Sequence, residues 1–230
     1  MDKLSVGVAG LGLFGRRVAE TLASLGADVL AVDRDAGVVD AIKDRVTSAA
    51  CLDLTDESAL VHSGLLTCDV VVVAIGEDLG SSILVTAILR KHGVARIIAR
   101  SHSDVHAQVL KTVGAERCLD PQDEMGVRLA REIFAPNVHA RLQLSTGQEV
   151  VEVEAHRSLH GQTVADLAFR QKYRLNIVAI KRRPAGFEPA TGRADAWDVV
   201  TLPSPTDVLR AGDVLVLIGE AAMVEAFLDL

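Results

Sequence analysis

The stretch from Leu4 to Asp33, LSVGVAGLGLFGRRVAETLASLGADVLAVD, leaves a folding chain few choices. A short apolar run, Val6 to Ala9, leads straight into Gly10-Leu11-Gly12-Leu13-Phe14-Gly15. Apolar residues at helical spacing follow (Val18, Leu22, Leu25), Gly26 closes them, and a second apolar run ends in Asp33. That order predicts strand, tight turn, helix, strand and a terminal acid. Gly10 permits the turn, Gly12 lets the backbone approach a pyrophosphate, and Gly15 lets helix and strand pack closely. Phosphates belong on the unpaired N–H groups and positive dipole end of the helix that begins near Leu13. Asp33 stands about 20 residues beyond the glycines, where an acid bonds ribose hydroxyls and repels a 2′-phosphate. A glycine triplet alone is often only a turn. With strand, helix, second strand and acid all in place, it predicts a Rossmann-type nucleotide site.

The chain of 230 residues is long enough for one or two domains with a proper core. Hydrophobic residues make up 49% of it and aromatics 3%, so that core is built from Ala, Val, Leu and Ile, which suits parallel strands between helices. The net charge of −7 excludes a protein that coats nucleic acid or anionic lipid, since both need a basic face. No N-terminal signal pattern is evident, and the apolar runs are far shorter than the ~20 residues that span a bilayer, so a soluble chain is expected. Cys51, Cys68 and Cys118 are odd in number and widely spaced, which predicts reduced, buried thiols in a cytosolic protein.

Along the chain, strands are expected near Thr47–Ala50, Val70–Ile75, Arg96–Ala99 and Arg117–Leu119. Helices alternate with them at Asp35–Lys43, up to Gly64, over Asp78–His92, and to Val113 from an N-cap at Asp104. This alternation predicts an α/β, doubly wound parallel sheet with a ligand rim at the carboxyl ends of its strands. The rim would comprise Gly10 to Gly15, Asp33 with Arg34, the loop of Asp53 and Leu54, Ala74-Ile75-Gly76, and Arg100. A helix from Pro121 to Phe134 carries the apolar stripe Met125, Leu129, Ile133 and Phe134, with Asp120, Asp123 and Glu124 suited to its N-terminus. Pro136-Asn137 reads as the domain boundary, giving residues 1–136 and 137–230. The second domain reads as a small α+β module. Its strands are expected at Val150–Val153, Asn176–Ile180, Val199–Leu202 and Val214–Ile218, its helices at Thr163–Tyr173 and Ala221–Leu228, and a mobile loop at 184–196.

Other clusters have plainer readings. His102 and His106, spaced i,i+4, lack a third metal ligand and read as a solvated helix face. Lys181-Arg182-Arg183 reads as a solvated strand end, with an anionic ligand or a partner acid as the alternative. No nucleophile elbow, HExxH or GK[ST] motif is present. Two classes of function stay open: a non-catalytic ligand-sensing regulator and an NAD-dependent dehydrogenase or reductase, the latter favoured only by the fold.

The sequence also resembles a known family. Gly10 to Gly15, Val32-Asp33, Val73-Ala74-Ile75-Gly76, Gly114-Ala115-Glu116-Arg117, Asp120-Pro121, Asp123-Glu124-Met125-Gly126, Asn176 to Ile180 and Leu209 to Asp213 are similar, in order, to an RCK (KTN) domain. The likeness is to TrkA/KtrA-type cytosolic gating subunits of Trk and Ktr potassium transporters, and it covers both lobes. It implies a nucleotide-binding Rossmann lobe and a regulatory C-terminal lobe. It also implies NAD(H), ADP or ATP at the glycine turn, and, in some members, a divalent cation or cyclic di-AMP. It implies a homodimer assembling to an octameric ring under an integral-membrane potassium-translocating subunit, with the 121–134 helix crossing between the lobes. In this likeness Asp53 would meet the adenine edge, its alternative being a turn residue, and Arg100 a phosphate, its alternative being a surface charge. Two departures stand out. The arginine that reads a γ-phosphate between the second and third glycines is Leu13 here, with Arg16 and Arg17 close behind. The acid that follows the proline in cation-binding members is Gln122.

Overall fold

The computed structural model describes residues 3–182 and 198–228, those of 199–201 by backbone alone. The loop expected at 184–196, and Arg183 beside it, lie outside the described residues. The chain divides into two compact units, Met1–Val127 and Arg128–Leu230.

In the first unit, strands β1 (Ser5–Ala9), β2 (Asp28–Asp33), β3 (Ser48–Cys51), β4 (Val70–Val73), β5 (Ile97–Arg100) and β6 (Arg117–Leu119) form one sheet. Its order is β3-β2-β1-β4-β5-β6 and every pairing is parallel. Between them run α1 (Leu13–Ser24), α2 (Ala36–Ile42), α3 (Glu57–His62), α4 (Leu79–Lys91) and α5 (Asp104–Val113). The order reverses between β1 and β4, and the crevice beyond their carboxyl ends is where ligands bind in such sheets.

Both faces of this sheet are covered, which is why Val70-Val71-Val72-Val73 can be apolar throughout. Val70 and Val72 join Val6, Val8, Ala31, Ala19 and Ile42 on one side. Val71 and Val73 join Leu60, Val85, Leu89 and Leu110 on the other. Short side chains start the helices. Asp35 caps α2, Asp56 caps α3 and Asp78 caps α4, each accepting from N–H groups of the first turn. The cap of α5 is Ser103, whose Oγ accepts from His106 N at 3.2 Å; Asp104, expected there, is the first helical residue.

Helix α6 (Pro121–Phe134) runs across the divide between the units, and each of its residues after Pro121 is exposed, Ile133 at 73% and Phe134 at 92%. Asp120 caps it, Oδ1 accepting from Gln122 N at 2.9 Å and Asp123 N at 3.2 Å.

The second unit holds β7 (Val138–Gln143), β8 (Gln148–Glu154), β9 (Asn176–Arg182), β10 (Asp198–Thr201) and β11 (Val214–Glu220) in an antiparallel sheet ordered β10-β9-β11-β8-β7. Its helices are α7 (Val164–Leu167), α8 (Phe169–Lys172) and α9 (Ala221–Leu228). One helix was expected over Thr163–Tyr173, but Ala168 takes φ 44° and splits it. Strand β7 was not expected, although Val138, Ala140 and Leu142 alternate with His139, Arg141 and Gln143; its pairing with β8 defines it. Val151, Val153, Leu215, Leu217, Phe169 and Phe227 form this unit's core.

All three cysteines are free thiols, but they are not all buried. Cys51 is exposed at the end of β3, while Cys68 and Cys118 are half-buried, and burial pushes both of those thiols above their ordinary pKa.

Candidate functional site

The glycine turn sits where β1 hands over to α1. Gly10 takes φ +97°, which an L side chain rarely adopts, and a Cβ there would lie 3.0 Å from Ile75 N. A Cβ at Gly15 would collide with the Gly10 carbonyl oxygen and lie 2.9 Å from Ala74 Cβ, so only glycine lets α1 approach the sheet this closely. Gly12 differs from both. An added Cβ meets nothing within 4 Å, so its crowding, if any, comes from a ligand.

Gly12 is also the N-cap of α1 and brings no capping side chain, and the first turn holds no acid. The first-turn N–H groups and the positive dipole end therefore have no capping side chain or acid from α1 itself. This cradle fits a phosphate or pyrophosphate.

Asp33 closes the crevice on the β2 side. Its Oδ2 accepts from Leu11 N at 2.6 Å and its Oδ1 from Asp35 N at 2.9 Å, so backbone donors hold the carboxylate at the mouth of the turn. Lone pairs remain on both oxygens for ribose hydroxyls. Asp53 follows β3, and its Oδ1 accepts from Thr55 N at 2.9 Å and Thr55 Oγ1 at 2.7 Å. The Thr55 hydroxyl and N–H hold its carboxyl below the usual range, and the Arg34 guanidinium adds to this. Asp78, which sequence reasoning did not place on the rim, is lowered by Ser81 and, more weakly, by the same Arg34. Its signal was available: an Asp two residues beyond Gly76, the glycine that follows β4.

From the β5 side comes Arg100. Its Cζ lies 5.9 Å from the Phe14 ring centroid, over the first turn of α1. A Cβ on Gly76 would come within 2.6 Å of Arg100 Nη1, so the glycine after β4 makes room for the guanidinium. Among the described residues Arg100 forms no ion pair, and its Nε is buried without a hydrogen-bond partner.

The structure thus brings Gly10, Gly12, Gly15, Phe14, Asp33, Gly76 and Arg100 to one crevice, with Arg34 and Asp53 at its edge. Leu11, Leu54 and Ala74 are buried, so they can meet a ligand only through backbone. Leu13 is 96% exposed, an apolar side chain with no donor. Arg16 does not stand free to replace the missing arginine: its Nε donates to Glu20 at 3.2 Å, and Arg45 binds the same carboxylate at 2.7 Å.

Two expectations about charged clusters fail. His106 is not on a solvated face but 4% exposed, with Nε2 3.0 Å from Ser82 Oγ. Lys181 and Arg182 are not a solvated strand end. They are half-buried, Lys181 Nζ donating to Glu152 at 2.8 Å and Arg182 Nε to Asp213 at 3.2 Å. Among the described residues no group of three or more His, Cys, Asp or Glu side chains could hold a metal ion, and no helix is long and apolar enough to cross a membrane.

Comparison with known proteins gives the same two-part division. The TrkA-N domain family matches residues 6–121, and the TrkA-C domain family matches residues 149–230. Ktr system potassium uptake protein C of Bacillus subtilis is 37% identical over 225 residues, covering 98% of this chain and 96% of that protein. Ktr system potassium uptake protein A of the same organism is 32% identical over 220 residues, covering 96% and 93%. Among solved structures, the GsuK RCK domain aligns with 98% of this chain at 23% identity and a TM-score of 0.53. The GsuK channel bound to NAD aligns with 98% at 22% identity and a TM-score of 0.54. This chain spans 45% and 38% of those two chains, and at these identities the likeness is one of fold.

Proposed function

The chain belongs to the TrkA-N/TrkA-C family, and from that premise we propose that it is a nucleotide-sensing regulatory subunit of a potassium uptake system. It works on the cytoplasmic face of the membrane and takes NAD(H) or ADP/ATP at the glycine turn. The observation that carries the ligand class is Gly12, whose Cβ position is open at the N-terminus of α1, next to Leu11, whose N–H binds the Asp33 carboxylate. Potassium comes from the relatives, which are named as potassium uptake proteins along nearly their whole length.

Within this reading the first-turn N–H groups take the pyrophosphate, Asp33 the ribose and Arg100 a phosphate oxygen. Leu13 offers no donor to a γ-phosphate and Arg16 is engaged by Glu20, so ATP is favoured over ADP only weakly. The exposed stripe of α6 is too apolar to face water, and a second copy covers it in a homodimer that builds an octameric ring. A nucleotide that binds two arrangements of that ring unequally biases an integral-membrane potassium-translocating partner.

The test is thermal stabilisation of the full chain with NAD+, NADH, NADPH, AMP, ADP, ATP and cyclic di-AMP. A ligand at 100 times its Kd adds about 2.7 kcal/mol. NADH and ADP should raise Tm and NADPH should not, because its 2′-phosphate meets Asp33. Equal stabilisation by NADPH would overturn the role of Asp33. No effect of any nucleotide, on Tm or on potassium flux through the reconstituted partner, would overturn the sensor.

A further inference from the structure

Behind the rim lies a buried polar node that nucleotide binding does not use. Ser82, in the first turn of α4, and His106, in the first turn of α5, are 0% and 4% exposed. The Ser82 hydroxyl donates its one proton to Leu79 O at 2.9 Å. Its other neighbour is His106 Nε2, 3.0 Å away; since Nδ1 is buried with no acceptor, the neutral ring that leaves no buried N–H unpaired carries its proton on Nε2 and donates it to Ser82. Nδ1 is then a bare nitrogen, buried and without a partner. The His102 ring stacks alongside, centroids 6.2 Å apart and planes at 21°, and its Nε2 is likewise buried and unpartnered.

The surroundings suit a neutral imidazole and no other form. From α4 it meets the neutral Ser82, with buried Thr86 one turn on, while Arg90 of that helix lies against Gly114 at the far end of α5. From β6 comes the thiol of Cys118, which donates to Ala107 O at 3.5 Å. From the β5–α5 turn come the buried Ser101 and the half-buried His102. On α5 itself Asp104 is exposed, and no carboxylate among the described residues bonds to either histidine. A proton on Nδ1 becomes a buried donor with no acceptor, beside a second imidazole.

We propose that Ser82, His102 and His106 form a proton-sensitive latch that ties the first turns of α4 and α5 together and so holds the β5–α5 turn, with Arg100, against the nucleotide rim. The neutral latch is closed. A proton on His106 opens it, frees residues 100–106 and withdraws Arg100 from Gly76 and Phe14. Burial, and less so the neighbouring His102, push the His106 pKa down, so the latch holds at neutral pH and yields on acidification. The consequence for ligand affinity rests on the nucleotide-site reading; the latch itself does not.

Two measurements on the full chain test it separately. The first follows the His106 ring by NMR from pH 7.5 to 5 with amide exchange of residues 100–106, without nucleotide. Nε2–H is expected at pH 7.5, with protection of that segment falling about tenfold as the ring protonates, beyond the intrinsic pH effect. His106→Gln, which keeps a donor towards Ser82 but does not titrate, should abolish that fall. Ser82→Ala should loosen the segment at every pH. The second measures ADP affinity at pH 7.5 and 5.5, expected to drop severalfold in the native chain and to stay level in His106→Gln. Protection that ignores the His106 titration, or an unchanged pH response in His106→Gln, overturns the latch. If His106→Gln does not fold, the native-chain titration decides alone. Level ADP affinity alongside a titrating segment overturns the link to the rim. Absence of ADP binding at both pH values counts against the nucleotide site and leaves the exchange result to judge the latch.

Discussion

The rim of the first unit and the sheet of the second treat charge in opposite ways. In the second, charged side chains on the antiparallel sheet are committed to each other: Arg141 to Glu149 and Glu225, each at 2.7 Å, Lys181 to Glu152 at 2.8 Å, and Arg182 to Asp213 at 3.2 Å. In the first, the charges on the rim are held by backbone, hydroxyl and ring contacts instead: Asp33 by two N–H groups, Asp53 by Thr55, Arg100 by the Phe14 face. Charges that neutralise each other within a sheet fix a scaffold. Charges held in place but left unpaired can still answer a ligand. The sheets explain why. The parallel sheet is buried on both faces, so polar groups gather only at its strand ends. The antiparallel sheet keeps one wetter face, visible in β8, where Val151 and Val153 alternate with Glu152 and Glu154.

The contrast can be broken or sharpened by substitution. The largest effects are expected where sterics or buried charge admit no relief. Gly15→Ala should cost at least about 3 kcal/mol by denaturant melts, because the new Cβ meets the Gly10 carbonyl. Arg141→Met should cost a similar amount, about 3 kcal/mol at pH 7, because Glu149, 7% exposed, is left charged beside Glu225. Adding Glu149→Leu should recover most of that loss, and an additive double mutant would show that the pair is not coupled. Asp53→Asn, on the rim, should cost under about 1 kcal/mol, since an exposed turn is all it holds together.

Gly12→Ala sharpens the contrast further. With open space around its Cβ, stability should change by about 0.5 kcal/mol or less while ADP affinity falls at least about tenfold. A destabilised but fully binding variant would reverse that assignment.

The smallest effect is on pH dependence. The folded pKa of His106 lies below its unfolded value of about 6.5, so the unfolded chain takes up this proton first. Stability attributable to His106 is therefore complete above that pH and is lost as pH falls below it, down to the folded pKa. His106→Gln should remove this part of the slope in acid melts.

Most of the first unit was legible because its periodicities are strong: the glycine turn and the apolar strands each have one physical reading, whereas the cap expected at Asp104 falls one residue earlier, on Ser103. Strand β7 was overlooked although its signal was present: Val138, Ala140 and Leu142 alternate with His139, Arg141 and Gln143, but the residues after Val138 stay exposed, so no buried run marks the strand apart from its pairing with β8. The break at Ala168 was hidden for a related reason: alanine favours helix, and packing overrides that preference. Cys51 looked buried by its apolar neighbours, yet an edge strand leaves its last residue open to solvent.

By itself the sequence determined the strand–turn–helix–strand unit, the alternation that makes a doubly wound sheet, and the places along the chain that fall at the carboxyl ends of its strands. Those follow from local spacing, which dictates the face or end of an element on which each residue lies. Only the tertiary structure decided that Arg100 rests on Phe14 beside Gly76, that Arg16 is engaged by Glu20, and that His106 meets Ser82 in the interior. Periodicity says which way a side chain points; which distant residue stands opposite is set by how strands and helices stack.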